Sequence, residues 1–319
     1  MNLKKRMFLT AFIPICAFLF AGIWIVYLSM TEHNIAKIQI ANMNLLEKTS
    51  RLITCIQKER GMSAMFIEGG VSSEEIKSVR SATDEALKSF IPALSQSKIA
   101  SEPAKRANEI PKLLEAVRSD VDARKDMKTV FASYTDLVER LINVEGATSQ
   151  AKTTGGVGKV MVSIQVLELA KENAGKLRGF GSGLITRGQP LSEEEFAKIV
   201  VWFGNIESLL NSPLLTFSED IMNRFKAVLS GSTLAAGEDM VRKLIKDSQT
   251  GSFSVNPKDF FKTWTDVISQ LDEVIQLASK SALKKSHEVA NNSLTILLWF
   301  SIASLIAAFI IIGFSFLTY

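Results

Sequence analysis

Two arginines stand out because of the residues around them. Arg60 is followed by Gly61 and flanks a stripe at helical spacing: Leu45, Thr49, Leu52, Ile56, Glu59, Ser63 and Phe66. The stripe is apolar at both ends and polar in the middle. Arg178 is followed by Gly179 and flanks a second stripe of Leu167, Ala170, Ala174, Leu177, Gly181 and Leu184. A mid-helix glycine costs about 1 kcal/mol relative to alanine, so each marks a close approach by a backbone or a small ligand. A guanidinium beside a core stripe needs a partner, because an unpaired buried charge is very costly. Two arrangements would meet that need. Either Glu59 and Glu172 form structural ion pairs with the arginines, or both arginines grip one small anion. The planar donor fork of a guanidinium suits a planar oxyanion, and Ser63, one turn from Arg60, could add a hydroxyl.

Helices must position these groups. Apolar residues recur every three to four positions, and no alternating strand run is present. Gly69-Gly70 before Ser72-Ser73-Glu74-Glu75 reads as a helix stop and a new N-cap. Pro103, Pro213 and Pro257 lie near helix starts, and Gly155, Gly156 and Gly158 mark a central break. The pattern predicts helices over 31–67, 73–98, 103–119, 121–150, 158–187, 192–211, 213–247 (interrupted near Gly231) and 257–292. The chain also repeats. RGMSAMFIEGGVSSEEIKSV from Arg60 and RGFGSGLITRGQPLSEEEFAKIV from Arg178 share Arg-Gly, a small-residue turn, a glycine stop and a serine cap. The expectation is all-α: two stacked up-down four-helix bundles, 31–150 and 151–292, between two transmembrane helices.

The spans are read from the ends. Met7–Met30 and Leu294–Tyr319 contain no Asp, Glu, Lys, Arg or His, and each exceeds the roughly 20 residues that cross a bilayer. The predicted spans are 7–30 and 293–319, with Trp24, Tyr27, Trp299 and Tyr319 as interfacial anchors. Lys4, Lys5 and Arg6 make 1–6 a basic cytoplasmic tag and place 31–292 outside. The formal charge is only +4, from 37 basic and 33 acidic residues, so no nucleic-acid partner is expected. Two cysteines and two histidines give no disulfide framework, metal site or cofactor site. No nucleophile–base constellation is present, so no catalytic residue is assigned.

LITCIQKERGMSAMFIEGG resembles the QKERG-x-S-A signature of the nitrate- and nitrite-sensing (NIT) domain of bacterial receptors. LELAKENAGKLRGFGSGLI with LSEEEFAKI, and NPKDFFKTWTDVISQLDEV, are similar to its second-bundle segment and closing helix. The likeness covers about 45–290. It implies that Arg60 and Arg178 grip nitrate or nitrite between the first and fifth helices; Ser63, Gly61 and Gly179 join the candidate site from their own chemistry and spacing. The second copy reads Lys176-Leu177-Arg178 where the first reads Lys58-Glu59-Arg60. The expected protein is a homodimeric two-pass sensor of the bacterial inner membrane. It would pass a helix displacement to a cytoplasmic signalling module beyond Tyr319, as in a chemotaxis receptor. The same scaffold sensing another small anion or organic ligand, or a membrane-anchored protein-interaction scaffold without a ligand, are the alternatives.

Other features have plainer readings. TTGGVGKV at 153–160 lacks the hydroxyl residue that a phosphate loop needs after its lysine, and it follows a helix. His33 and His287 read as solvated. Cys16 lies in a span and Cys55 on the first helix, so they cannot pair. Glu193-Glu194-Glu195 opens a helix and favours its dipole. Phe217, Phe225, Phe253, Phe260 and Phe261 read as core.

Overall fold

The computed structural model describes residues 3–97, 99 and 101–318, and all its regular elements are α-helices. They are α1 (Leu3–Ile67), α2 (Ser73–Gln96), α3 (Ser101–Ala107), α4 (Ile110–Asp122), α5 (Met127–Ser149), α6 (Val157–Arg187), α7 (Glu193–Leu210), α8 (Glu219–Leu229), α9 (Ser232–Lys246) and α10 (Pro257–Thr318). The all-α expectation holds. Lys98 and Tyr319, assigned to a helix and to an interfacial anchor, lie outside the described residues.

Local chemistry sets the helix ends. Ser72 and Ser192 each accept a bond from the amide three residues on, while Glu75 and Glu195 each accept one from the serine amide. These reciprocal boxes satisfy donors that the first helical turn leaves orphaned. Asp126 caps α5 through the Thr129 amide at 2.9 Å, and Asn256 caps α10 through Lys258 at 2.9 Å. Gly156 and Gly188 bracket α6 with φ of 77° and 63°, a region glycine enters without strain.

Three boundaries differ from the sequence pattern. The helix expected over 103–119 is two, α3 and α4, and Pro111, which has no N–H to donate, sits in the first turn of α4. The break expected near 120 falls after Asp122, where Arg124 adopts φ 49°. Residues 213–218 are not helical. There the Ser163 hydroxyl bonds the Leu214 and Thr216 backbone at 3.0 and 2.8 Å, satisfying polar groups that a helix would otherwise pair.

The chain forms two compact units. One comprises residues 41–151 and 156–282. In its first half Leu45, Leu52 and Ile56 of α1 join Phe90 of α2, Leu114 of α4, and Leu137 and Leu141 of α5 in one core. In its second half Ile199, Phe225, Val241, Phe260, Val267 and Leu271 are likewise buried. Both stripes read beside the arginines are buried throughout, including polar Thr49, Glu59 and Ser63.

The other unit comprises, among the described residues, 3–40, 152–155 and 283–318. Here α1 and α10 run antiparallel. Glu32 meets Ser293 at 3.3 Å, Gln39 meets Ser286 at 2.6 Å, and a Cβ on Gly22 would lie 2.9 Å from Ser304 Oγ. His33 Nδ1 donates to the Ala290 carbonyl at 2.9 Å, so His33 is a packing residue, not a solvated one. α1 and α10 each carry a stretch long and apolar enough to cross a membrane, within Phe12–Ile67 and Pro257–Ile310. Phe20, Trp24, Trp299 and Phe309 point outward from these stretches.

Candidate functional site

Four helices of the larger unit, α1, α5, α6 and α10, bring the two arginines into one layer. The glycines explain how α1 and α6 approach. A Cβ on Gly179 would lie 2.9 Å from the Gly61 Cα, and one on Gly61 would lie 2.7 Å from the Phe261 ring. Backbone therefore meets backbone at this crossing, and any larger residue would drive the helices apart. Arg60 and Arg178, next to these glycines, are 0% and 2% exposed.

Each arginine sits in a matching cradle. The Arg60 guanidinium carbon lies 4.7 Å from the Phe131 ring centroid, and Nη1 donates to Thr135 at 3.1 Å. The Arg178 carbon lies 4.7 Å from the Phe261 centroid, and Nη1 donates to Thr265 at 3.1 Å. A cation over a ring face is favourable within about 6 Å of the centroid. Each phenylalanine also packs on the opposite glycine, Phe131 on Gly179 and Phe261 on Gly61. Phe261 is therefore a cradle wall rather than the simple core residue its spacing suggested.

The cradles differ in charge. Arg60 meets Glu172 with two bonds, Nη1–Oε1 at 2.7 Å and Nη2–Oε2 at 3.2 Å. Gln57 also donates to Glu172, at 2.8 Å, and Lys176 lies 3.6 Å away. The missing side chain of Gly175 makes room, since a Cβ there would lie 3.2 Å from Arg60 Nη2. Arg178 has no carboxylate partner among the described residues, and its Nε and Nη2 make no hydrogen bond. These two atoms form one edge of the guanidinium fork, the edge that pairs side-on with a planar oxyanion. Burial, then the charge of Arg60, push the Arg178 pKa down to about 9, against a smaller pull from Glu172. The cation persists at neutral pH, and its charge lacks compensation.

Of the five residues singled out in sequence, the structure gathers Arg60, Arg178, Gly61 and Gly179 at this crossing. Ser63 is buried nearby but bonds the Tyr134 hydroxyl at 3.3 Å. Glu59, adjacent to Arg60 in sequence, does not pair with it. It takes two bonds from Arg118, at 2.7 and 2.9 Å, and one from Tyr134 at 2.9 Å. Burial and the Glu59 charge hold the Tyr134 phenol above its ordinary range. Phe131, Thr135 and Thr265 were not legible from either arginine stripe. Their signal is a second repeat, FASYT at 131–135 against FKTWT at 261–265.

A second buried polar layer lies two turns along α6. Lys171 Nζ contacts Asp272 at 2.5 Å and Glu168 at 3.3 Å, and the Ser50 hydroxyl donates to Glu168. Glu145 is fully buried there, and neither of its carboxylate oxygens has a hydrogen-bond partner among the described residues. Burial, with the Glu168 charge adding, raises the Glu145 pKa well above the carboxylate range. No group of residues suited to a metal ion occurs among the described residues.

Comparison with known proteins bears on the family and the fold. A family model described as nitrate and nitrite sensing matches residues 51–283, which include both arginines and both cradles. The solved structure of the NasR transcription antiterminator has a similar fold, with a TM-score of 0.71 at 18% identity, covering 88% of this chain and 84% of that one. No curated protein matches. With most of its length, and all of its buried arginine layer, inside the matched segment, this chain belongs to the nitrate- and nitrite-sensing (NIT) family.

Proposed function

We propose that the chain is the sensory part of a two-pass receptor of the bacterial inner membrane, binding nitrate or nitrite outside through Arg60 and Arg178. The observation that carries this reading is the open Nε–Nη2 edge of Arg178. It is a buried cationic fork, next to a second guanidinium, in a chain of this family. A planar monoanion there would take two charge-assisted bonds and offset the repulsion between the arginines. The Thr265 and Phe261 cradle fixes the guanidinium plane beforehand, so little ordering accompanies binding.

Helix continuity supports a signal passed along α1 and α10. α1 runs unbroken from Leu3 to Ile67, and α10 from Pro257 to Thr318. Both carry a residue of the arginine layer and an apolar stretch able to cross a membrane. The anion would bias two packings at the Gly61–Gly179 crossing, and a shift of about 1–2 Å along α1 or α10 would carry the change inward. The receptor would act as a homodimer with a cytoplasmic signalling module, with its N-terminus in the cytoplasm.

Isothermal titration of the full chain in nanodiscs tests the site. Nitrate should bind the native chain, and Arg178→Ala or Arg60→Ala should weaken it by at least about 30-fold, or 2 kcal/mol. Unchanged affinity in a folded Arg178→Ala variant would remove the site from this layer.

A further inference from the structure

We infer that Glu172 is the residue that sets the valence of the ligand, acting as a built-in counter-anion that holds the layer at one net positive charge. The inference rests on the anion site just proposed and deepens it. Three buried charges share this layer: Glu172, 2% exposed and negative, pairs with positive Arg60, and positive Arg178 feels the charge of both. Their sum is +1. Lys176 reaches Glu172 from the rim at 3.6 Å, but its partner Glu139, at 3.5 Å, balances it there. Glu59 does not enter the sum, since Arg118 and Tyr134 occupy it.

A site at +1, closed to solvent, is completed by one monoanion. A dianion would leave it at −1 and carry a larger desolvation cost that no further cation meets. Nitrate and nitrite are therefore admitted and sulfate is rejected by charge, although sulfate offers more acceptor oxygens. The geometry adds a second consequence. Glu172 grips Arg60 in the bidentate manner of an oxyanion, at 2.7 and 3.2 Å, so it competes with the ligand for that arginine. Arg178 is left as the open fork that the ligand meets first. Gln57 and the space above Gly175 keep the carboxylate in this pose.

The test is a titration of the full chain in nanodiscs with nitrate, nitrite and sulfate, for the native protein, Glu172→Gln and Glu172→Asp. Native protein should bind the two monoanions and not sulfate. Glu172→Gln raises the layer to +2, so nitrate affinity should rise at least tenfold and sulfate should now bind. Glu172→Asp keeps the charge but shortens the reach to Arg60, so nitrate should tighten while sulfate stays excluded. If Glu172→Gln melts too low for titration, Glu172→Asp alone decides, and sulfate binding to it overturns the inference. Weaker or unchanged nitrate binding in Glu172→Gln overturns it as well, and leaves the arginine site intact. Native protein that binds no monoanion overturns both readings.

Discussion

Arg178 is a buried cation whose pKa burial lowers to about 9, and that shift gives the site a pH signature. A bound anion favours the charged guanidinium, so anion affinity should be level from pH 6 to 8. It should weaken only at strongly alkaline pH, because burial eases loss of the Arg178 proton but a guanidinium holds it throughout the neutral range. Titration calorimetry across that range checks it. Glu145 titrates in the opposite sense. Its folded pKa lies above the unfolded value, so the folded state holds a proton there and loses relative stability as pH rises past about 4.3, the ordinary glutamate value. Glu145→Gln should therefore stabilise the chain at pH 8 by on the order of 1 kcal/mol and change little at pH 4. Thermal melts at the two pH values decide it. Glu59 has two bonds from Arg118 and one from Tyr134, so Glu59→Ala should destabilise by about 3 kcal/mol.

The helices themselves were largely legible because their caps are local. Ser72 with Glu75, Ser192 with Glu195, and the glycines at 155, 156 and 188 are short-range signals that needed no tertiary context. The segment 213–218 was not legible, since its backbone is satisfied by Ser163, some fifty residues earlier in the chain. The arginine layer was half legible for a similar reason. Arg60 and Arg178 follow from their own stripes. Their cradles come from α5 and α10, and only the FASYT and FKTWT repeat connects those helices. At this scale the crossing of α1 and α6 makes its own prediction. Alanine at 179 would press on the Gly61 Cα at 2.9 Å, a backbone atom that no rotamer change can move. Gly179→Ala should destabilise by about 1–3 kcal/mol despite better helix propensity, and abolish nitrate binding. Gly61→Ala meets the edge of the Phe261 ring at 2.7 Å, and should loosen Arg178 while keeping more stability. Melting curves of both variants, with and without nitrate, separate the two effects.

For the molecule as a whole, net charge says little about ligand chemistry, and the hydropathy is concentrated in two helices long and apolar enough to cross a membrane. The +4 charge contains Lys4, Lys5 and Arg6, and without them the chain is nearly neutral. A crystal structure of the full chain grown with nitrate would show the anion directly. A planar anion should lie within about 2.7–3.1 Å of both Nε and Nη2 of Arg178, with Thr265 and Phe261 unmoved. Nitrate bound elsewhere, with that edge of Arg178 turned to a protein carboxylate, would contradict this placement.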